Sequence, residues 1–172
     1  SQKKADYLFC YAHDALSLPL DEAKFTSTVI GRESLVPVSI PDQNGQPRFA
    51  LPGSNTHALP YVAYAHDSLF GKAVDQLIRN NTHACFLQRR FENAYSHTLK
   101  SMARQGLGLA WLPESAIQRD LEDGTLCRAG DKHWDIGFDV KLFYRNEATS
   151  STELAIQKTS LAMASENSLS EP

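Results

Sequence analysis

Apolar residues along this chain change their repeat several times, and each change marks an element. Residues 7–11 form a short apolar and aromatic run behind Asp6, the pattern of a buried strand. Residues 16–22 carry Pro19 and acidic side chains and read as a connection. Residues 35–40 (LVPVSI) predict a strand, and Pro37 within it points to an edge or an irregular pairing. Pro, Asn, Gly and Gln crowd residues 41–53, which predict a surface loop. Residues 59–64 (LPYVAY) predict another strand. Then the period lengthens: Leu69, Phe70, Ala73, Val74, Leu77 and Ile78 share one face of a helix. Asp67 or Ser68 can cap its start, and Asn80 with Asn81 can end it. Residues 83–88 (HACFLQ) return to a strand pattern.

A second helix is expected next. Asn93 supplies an N-cap, and Tyr95, Leu99, Met102 and Ala103 mark the buried face. Gly106 stands where a left-handed C-terminal residue belongs. Residues 107–112 (LGLAWL) predict a buried strand. Pro113 suits a first helical position, Glu114 adds favourable charge there, and Gly124 closes the short helix. Trp134, Ile136, Phe138, Val140, Leu142 and Tyr144 alternate cleanly, the best strand signal in the chain. Ser150 with Glu153 makes a capping box before a last helix with Leu154, Ala155, Leu161 and Ala162 on its apolar face. The tail over 166–172 is polar. Strands and helices therefore alternate, which argues for an α/β fold with a largely parallel sheet. No internal repeat or low-complexity segment interrupts them.

Composition narrows the class. At 172 residues the chain can form one domain or two small lobes. Its 42% hydrophobic and 22% charged residues are those of a globular protein. The net charge of -3 argues against an independent grip on nucleic acid, and the densest basic spot, residues 88–90, is short. Cys10, Cys85 and Cys127 are widely spaced with no CxxC, which fits a reducing compartment better than a disulfide framework. The opening SQKKADYLFCYAH lacks the length and small-residue cleavage site of a signal peptide, and no apolar run reaches membrane-spanning length. A soluble cytoplasmic protein with no membrane partner is expected.

Candidate chemistry is thin. Six histidines show neither HExxH nor a helical i, i+4 pair, so no metal is expected. Cys10 and Cys85 lie in apolar runs, where cysteine acts as a small hydrophobe. Ser34 has no GxSxG elbow around it. Gly106 and Gly108 come in the order helix, glycine, strand, the reverse of a dinucleotide fingerprint. They fit a helix C-cap and a close strand–helix contact. No catalytic set, metal or cofactor follows. The helix starts are more informative. Asp67–Ser68 and Asn93–Ser96 each place small polar groups at the mouth of a helix just after a strand. Such positions serve ordinary capping, and they also suit an anion or polar ligand beyond the carboxyl ends of parallel strands.

Residues 106–118, GLGLAWLPESAIQ, resemble the GxGIAxLP segment of LysR-type transcriptional regulators. The preceding FENAYSHTLKSMARQ is similar to the helix that enters that segment. ADYLFCYAHD looks like the strand where the family's chain leaves its first lobe, and RESLVPVSIP like the crossing strand. WDIGFDVKLFYRN with the Ser150 helix looks like the return. AWLPESAIQ is most similar to the hypochlorite-responsive members, although Met102 and Met163 are the only methionines for sulfur sensing.

The resemblance implies an α/β, periplasmic-binding-protein type II-like fold with two lobes. Residues of about 1–15 and 134–165 would form the first lobe, incomplete in this chain, and about 30–130 the second. Residues 1–172 would be an effector-binding domain fragment with no DNA-binding domain. A small polar or anionic effector would bind between the lobes, against Tyr11 and His13 from the first and Tyr64, His66, Ser68, Asn93 and Ser96 from the second. DNA would be reached through a helix-turn-helix domain outside this chain, and the complete protein would be a homo-oligomer. Two alternatives stand beside this reading. A stand-alone solute-binding protein of the same fold would need an export signal. A small α/β enzyme would need a nucleophile–base set or a metal motif.

Overall fold

The computed structural model describes residues 7–13, 24–81, 84–145, 155–156 and 158–159. In chain order the elements are β1 (Tyr7–Ala12), β2 (Phe25–Ser39), β3 (Leu59–Tyr64), α1 (Leu69–Asn80), β4 (Leu87–Asn93), α2 (Ser96–Arg104), β5 (Ala110–Pro113), α3 (Glu114–Glu122), β6 (Cys127–Arg128), a 3-10 turn (Lys132–Trp134) and β7 (Ile136–Arg145). The chain divides into two units. Unit 1 takes Ser1–Glu33 with Gly137–Pro172, and unit 2 takes Ser34–Ile136. The expected connection over 16–22, His83, and the capping box of Ser150 and Glu153 lie outside the described residues. So do Leu154, Leu161, Ala162 and the tail over 166–172. Ala155, Ile156, Lys158 and Thr159 are helical.

In unit 1, β7 lies between β1 and β2. β1 and β7 run antiparallel, with Tyr7 opposite Tyr144, Phe9 opposite Leu142 and Tyr11 opposite Val140. The expected alternation holds: Phe138, Leu142 and Tyr144 are buried on one face of β7, while Gly137 faces outward. β2 starts ten residues before the apolar run that predicts it. Its first part, FTSTVIGRE, mixes half-buried and exposed positions and carries no period-2 signal. Pairing beside β7 makes it a strand, a tertiary cause that local pattern does not show.

Unit 2 holds most of the core. β3 and β4 are parallel, from Leu59 opposite Leu87 to Tyr64 opposite Asn93. β5 runs antiparallel to β2, and β6 pairs β2 on its other side. Leu109 joins the two sheets by a parallel bridge to Tyr61. Its amide donates to the Pro60 carbonyl at 2.9 Å, and the Val62 amide donates to the Leu109 carbonyl at 2.9 Å. The expected largely parallel sheet is therefore corrected: β3, β4 and the lead into β5 are parallel, while β1–β7, β2–β5 and β2–β6 are antiparallel. Pro37 is not on an edge. It sits opposite Trp111, and its carbonyl accepts from Ala129 on the other side at 2.8 Å. Because β6 is short, Pro37 can sit where that ladder ends and its missing N–H costs nothing.

Other expectations shift by a few residues. β4 begins at Leu87, not near His83. Phe86 is instead tied by its amide to Pro52 O and by its carbonyl to Leu59 N, both at 2.9 Å. Most of β4 (QRRFE) is exposed, so it carries polar residues and no strand period. Pro113 ends β5 as the N-cap of α3, one position before the expected one. α1 starts and ends as the pattern predicts, at Ser68 and Asn81.

Gly106 has φ +73° and closes α2 in the left-handed region. Gly108 serves a strand–strand contact, not the expected strand–helix one. A Cβ there would lie 2.6 Å from the Pro60 carbonyl oxygen of β3. Two further contacts hold the helices and β5 in place. Asp120, buried on α3, receives Lys100 Nζ at 2.6 Å and Arg104 Nε at 3.4 Å from α2. The buried Trp111 indole donates to Trp134 O at 2.8 Å, and its ring meets Tyr61 edge-on at 5.6 Å.

Two predictions follow from this packing. Gly108→Ala should destabilise the chain by about 1–3 kcal/mol, because backbone must move to admit the methyl. Gly137→Ala, with open space around its Cβ, should stay within about 0.5 kcal/mol of wild type. Urea unfolding of the two variants side by side checks this; equal midpoints would contradict it. The second concerns alkali. Burial pushes the Cys85 thiol up to about 11 and raises the Tyr61 phenol further above its ordinary value. In the unfolded chain these groups ionise near about 8.5 and about 10. The native state thus holds protons that the unfolded state has lost, so stability should hold below about pH 8.5 and fall as pH rises toward 11. Urea midpoints at pH 7.5 and 10.5 measure the fall, and Cys85→Ala should reduce it.

Candidate functional site

Parallel β3 and β4 end side by side, and each leads into a helix. The Ala65 amide donates to the Asn93 carbonyl at 3.0 Å, which fixes the two strand ends together. The starts of α1 and α2 follow directly from that edge of unit 2.

The two helix starts differ. At α1, Ser68 Oγ accepts from the Gly71 amide at 3.0 Å and donates to the Ala65 carbonyl at 2.6 Å. Both roles of that hydroxyl are internal, so Ser68 acts as a cap. At α2 the N-cap is Tyr95, with no side-chain cap. Asn93 is not the N-cap that the sequence predicts. It ends β4, and its Oδ1 accepts from the Tyr95 amide at 2.9 Å in a local turn. Tyr95 is not on the buried face either; it is 73% exposed. A helical phase starting at Asn93 would bury it, but the helix begins three residues later.

Ser96 Oγ and Tyr64 Oη lie 2.7 Å apart. Tyr64 is buried, and its ring stands edge-on to Phe70 at 5.3 Å. Its hydroxyl therefore ties the end of β3 to the first turn of α2. His66 is well exposed, with Nδ1 3.7 Å from Glu92 Oε1. Arg89 binds Glu92 at 2.7 Å and Asp75 at 3.2 Å. The hydrogen bond from Arg89 holds the Glu92 carboxyl below its ordinary range, with His66 adding to the effect.

Five of the seven expected site residues are thus in unit 2: Tyr64, His66, Ser68, Asn93 and Ser96 stand at the strand ends or helix starts. Tyr11 and His13 are in unit 1, both packed on Phe138, at ring distances of 6.2 Å and 5.3 Å. Burial and the nearby Glu33 charge raise the Tyr11 phenol. Sequence reasoning missed Glu92 and the exposure of Tyr95. The recurrence of short polar residues at 93 and 96 was the available signal, and it fixed the place without fixing the roles. Among the described residues no three His, Cys, Asp or Glu side chains cluster as a metal site would need. Nor is any described helix long and apolar enough to cross a membrane.

Residues 4–156 match the family model described as "LysR substrate binding domain". The chain is 31% identical over 123 residues to the HTH-type transcriptional regulator YjiE of Escherichia coli K12, covering 72% of this chain and 38% of that protein. It is 30% identical over 123 residues to the HTH domain-truncated transcriptional regulator QseD of E. coli O157:H7, covering 72% and 48%. It therefore spans less than half the length of either relative. The regulatory domain of HypT from Salmonella typhimurium superposes with a TM-score of 0.78 at 22% identity, over 95% of this chain and 74% of that one. Full-length HypT, described as a hypochlorite-specific LysR-type transcriptional regulator, gives 0.79 at 23% identity, over 95% and 53%. These superpositions support the periplasmic-binding-protein type II fold. The relatives are transcriptional regulators, neither enzymes nor stand-alone solute-binding proteins, and with the match over residues 4–156 the chain belongs to the LysR substrate-binding domain family.

Proposed function

We propose that this chain is the ligand-sensing part of a DNA-binding transcriptional regulator, and that it takes a small polar or anionic effector at the start of α2. The observation that carries the reading is the difference between the two helix starts. Ser68 closes α1 internally, while α2 has no side-chain cap. Backbone N–H groups in the first turn of a helix attract negative charge, and among the described residues no side chain caps α2. The Tyr64–Ser96 pair adds hydroxyls next to that turn. Exposed His66 stands after the end of β3, and Asn93 shapes the turn into α2. This set can bind reversibly and holds no nucleophile with a base beside it, which suits recognition. Ser68 serves as scaffold in this reading, and Tyr11 and His13 are not needed for it.

Regulation then requires that the effector favour one of two conformations of the complete protein, a homo-oligomer whose separate DNA-binding domain touches the operator. The net charge of -3 leaves the sensing part with little attraction for phosphate backbones.

Thermal-shift screening of the chain against small carboxylates, phosphates and other oxyanions should find ligands that raise Tm. For such a ligand, Ser96→Ala and His66→Ala should each weaken binding by roughly 5–10-fold, the loss of about one hydrogen bond, with the free protein's stability within about 1 kcal/mol of wild type. Wild-type affinity in both variants would remove the site from the start of α2. In a separate footprinting experiment at physiological salt, the 172 residues should protect no specific duplex sequence. A discrete footprint would show that DNA recognition resides in the sensing part itself.

A further inference from the structure

Two exposed turns in unit 2 share a backbone feature and differ in side-chain chemistry. Residues 41–47 form a short hairpin, with Pro41 bridged to Pro47. Inside it the Asp42 amide donates to the Gln46 carbonyl at 2.7 Å, and the Gly45 amide donates to the Asp42 carbonyl at 3.1 Å. Asp42 Oδ1 accepts from the Asn44 amide at 2.8 Å and from the Gln46 amide at 2.9 Å. The second turn, residues 123–125, follows α3. Each turn holds a glycine at positive φ, +77° at Gly45 and +73° at Gly124, with nothing within 4 Å of where a Cβ would lie.

The residue before each glycine separates them. Asn44 is exposed, and among the described residues its carboxamide has no hydrogen-bond partner. Asp123 is exposed too, but its Oδ1 accepts from the Thr125 amide at 2.9 Å and from the Thr125 hydroxyl at 2.6 Å. Those bonds hold the Asp123 carboxyl below its ordinary range, so it stays ionised. A carboxylate repels a nucleophile, whereas a neutral carboxamide accepts one. Asn44–Gly45 is also the one Asn–Gly pair in the sequence.

We propose that Asn44 is a self-modification site, at which the Gly45 nitrogen attacks the Asn44 side-chain carbonyl and converts the residue to aspartate and isoaspartate. The new N–Cγ bond closes a cyclic imide as the Cγ–Nδ2 bond breaks. The departing nitrogen takes up the Gly45 amide proton and leaves as ammonia. Water then adds to either imide carbonyl. Opening of the N–Cγ bond gives aspartate. Opening of the original peptide bond gives isoaspartate, whose main chain runs through Cγ and is one carbon longer. Glycine suits the step because no side chain hinders its nitrogen. The Gly45–Asp42 hydrogen bond must open first, and at the surface water replaces it at little net cost. Either product adds a negative charge beside Asp42. The hairpin rises from Ile40, whose side chain packs against Gly106, so the altered turn lies beside the end of α2.

Incubation of the folded 172-residue chain in warm, mildly alkaline buffer tests the proposal. Trypsin separates the two turns, into residues 33–48 and 120–128. Peptide 33–48 should gain the mass of an amide-to-acid exchange and become a substrate for an isoaspartyl methyltransferase. Its methyl label should exceed that on 120–128 by about tenfold or more, the factor set by ~1.4 kcal/mol of barrier. Asn44→Ser should lose the label on 33–48, with urea unfolding confirming that the variant is folded. Thr125→Val, which removes the hydroxyl from Asp123, should raise the label on 120–128. An unmodified 33–48 in the folded chain overturns the proposal, as does a label that survives Asn44→Ser. Equal labelling of the two wild-type peptides overturns it too, because the free carboxamide would then not be the cause.

Discussion

Unit 2 depends on one close approach, that of Gly108 to Pro60. Hydrogen bonds from Leu109 to Pro60 and from Val62 to Leu109 join the β3–β4 pair to the sheet of β2, β5 and β6. They form only because no side chain separates the two backbones; any Cβ at Gly108 would lie 2.6 Å from a carbonyl oxygen. Backbone, unlike the end of a long side chain, has little room to give. Gly106 prepares the approach by ending α2 with positive φ, so that the chain turns back at once into the strand. Two glycines two residues apart thus do separate work, one turning the chain and the other admitting it.

The start of α2 inherits its position from that seam. Where β5 docks fixes where β3 runs, and β3 places Tyr64 beside Ser96. The parallel register then places Asn93 beside Tyr64. A candidate binding residue such as Ser96 is held from two directions: by its own helix, and by a hydroxyl contact to a strand that the glycine seam anchors. The segment GLGLAWLP is plain in itself. It reads as a helix stop, a buried strand and a proline-started helix, which many α/β proteins use, but its spacing is set by a contact to a strand some fifty residues earlier.

The sequence made legible whatever local pattern controls. α1 came out with its cap and its end, β3 to the residue, and the alternating face of β7 with its buried partners. The failures share a cause. The first part of β2 and most of β4 are strands because a neighbour pairs with them, and their exposure removes the period that would announce them. The sheet was expected to be largely parallel because alternation of strands and helices was extended over the whole chain, although β1–β7, β2–β5 and β2–β6 pair antiparallel. In the candidate site, the positions were legible from short polar residues after strands, but the roles were not. Whether Ser68 and Asn93 spend their oxygens on their own backbone depends on where each helix begins, to within one turn. Tyr95 shows the same sensitivity, since a shift of a few residues in the start of α2 moved it from an expected core position to solvent.

That an uncapped helix start can persist has a physical explanation in the rest of α2. A missing side-chain cap typically costs about 1 kcal/mol, and a helix of nine residues is too short to hold itself in water. α2 is held elsewhere along its length. Leu99 and Ala103 are fully buried, and Gly106 closes the far end. Lys100 and Arg104, one turn apart, both reach the buried Asp120 of α3, and Lys100 also donates to the Ala116 carbonyl at 2.7 Å. That clamp lies in the middle and last turns, away from the first. The helix tolerates an uncapped first turn because its stability does not come from that end. α1, with both ends closed by its own chain, has no such opening. In the proposed reading, the asymmetry between two neighbouring helices of similar length separates a scaffold element from the one that would receive the ligand.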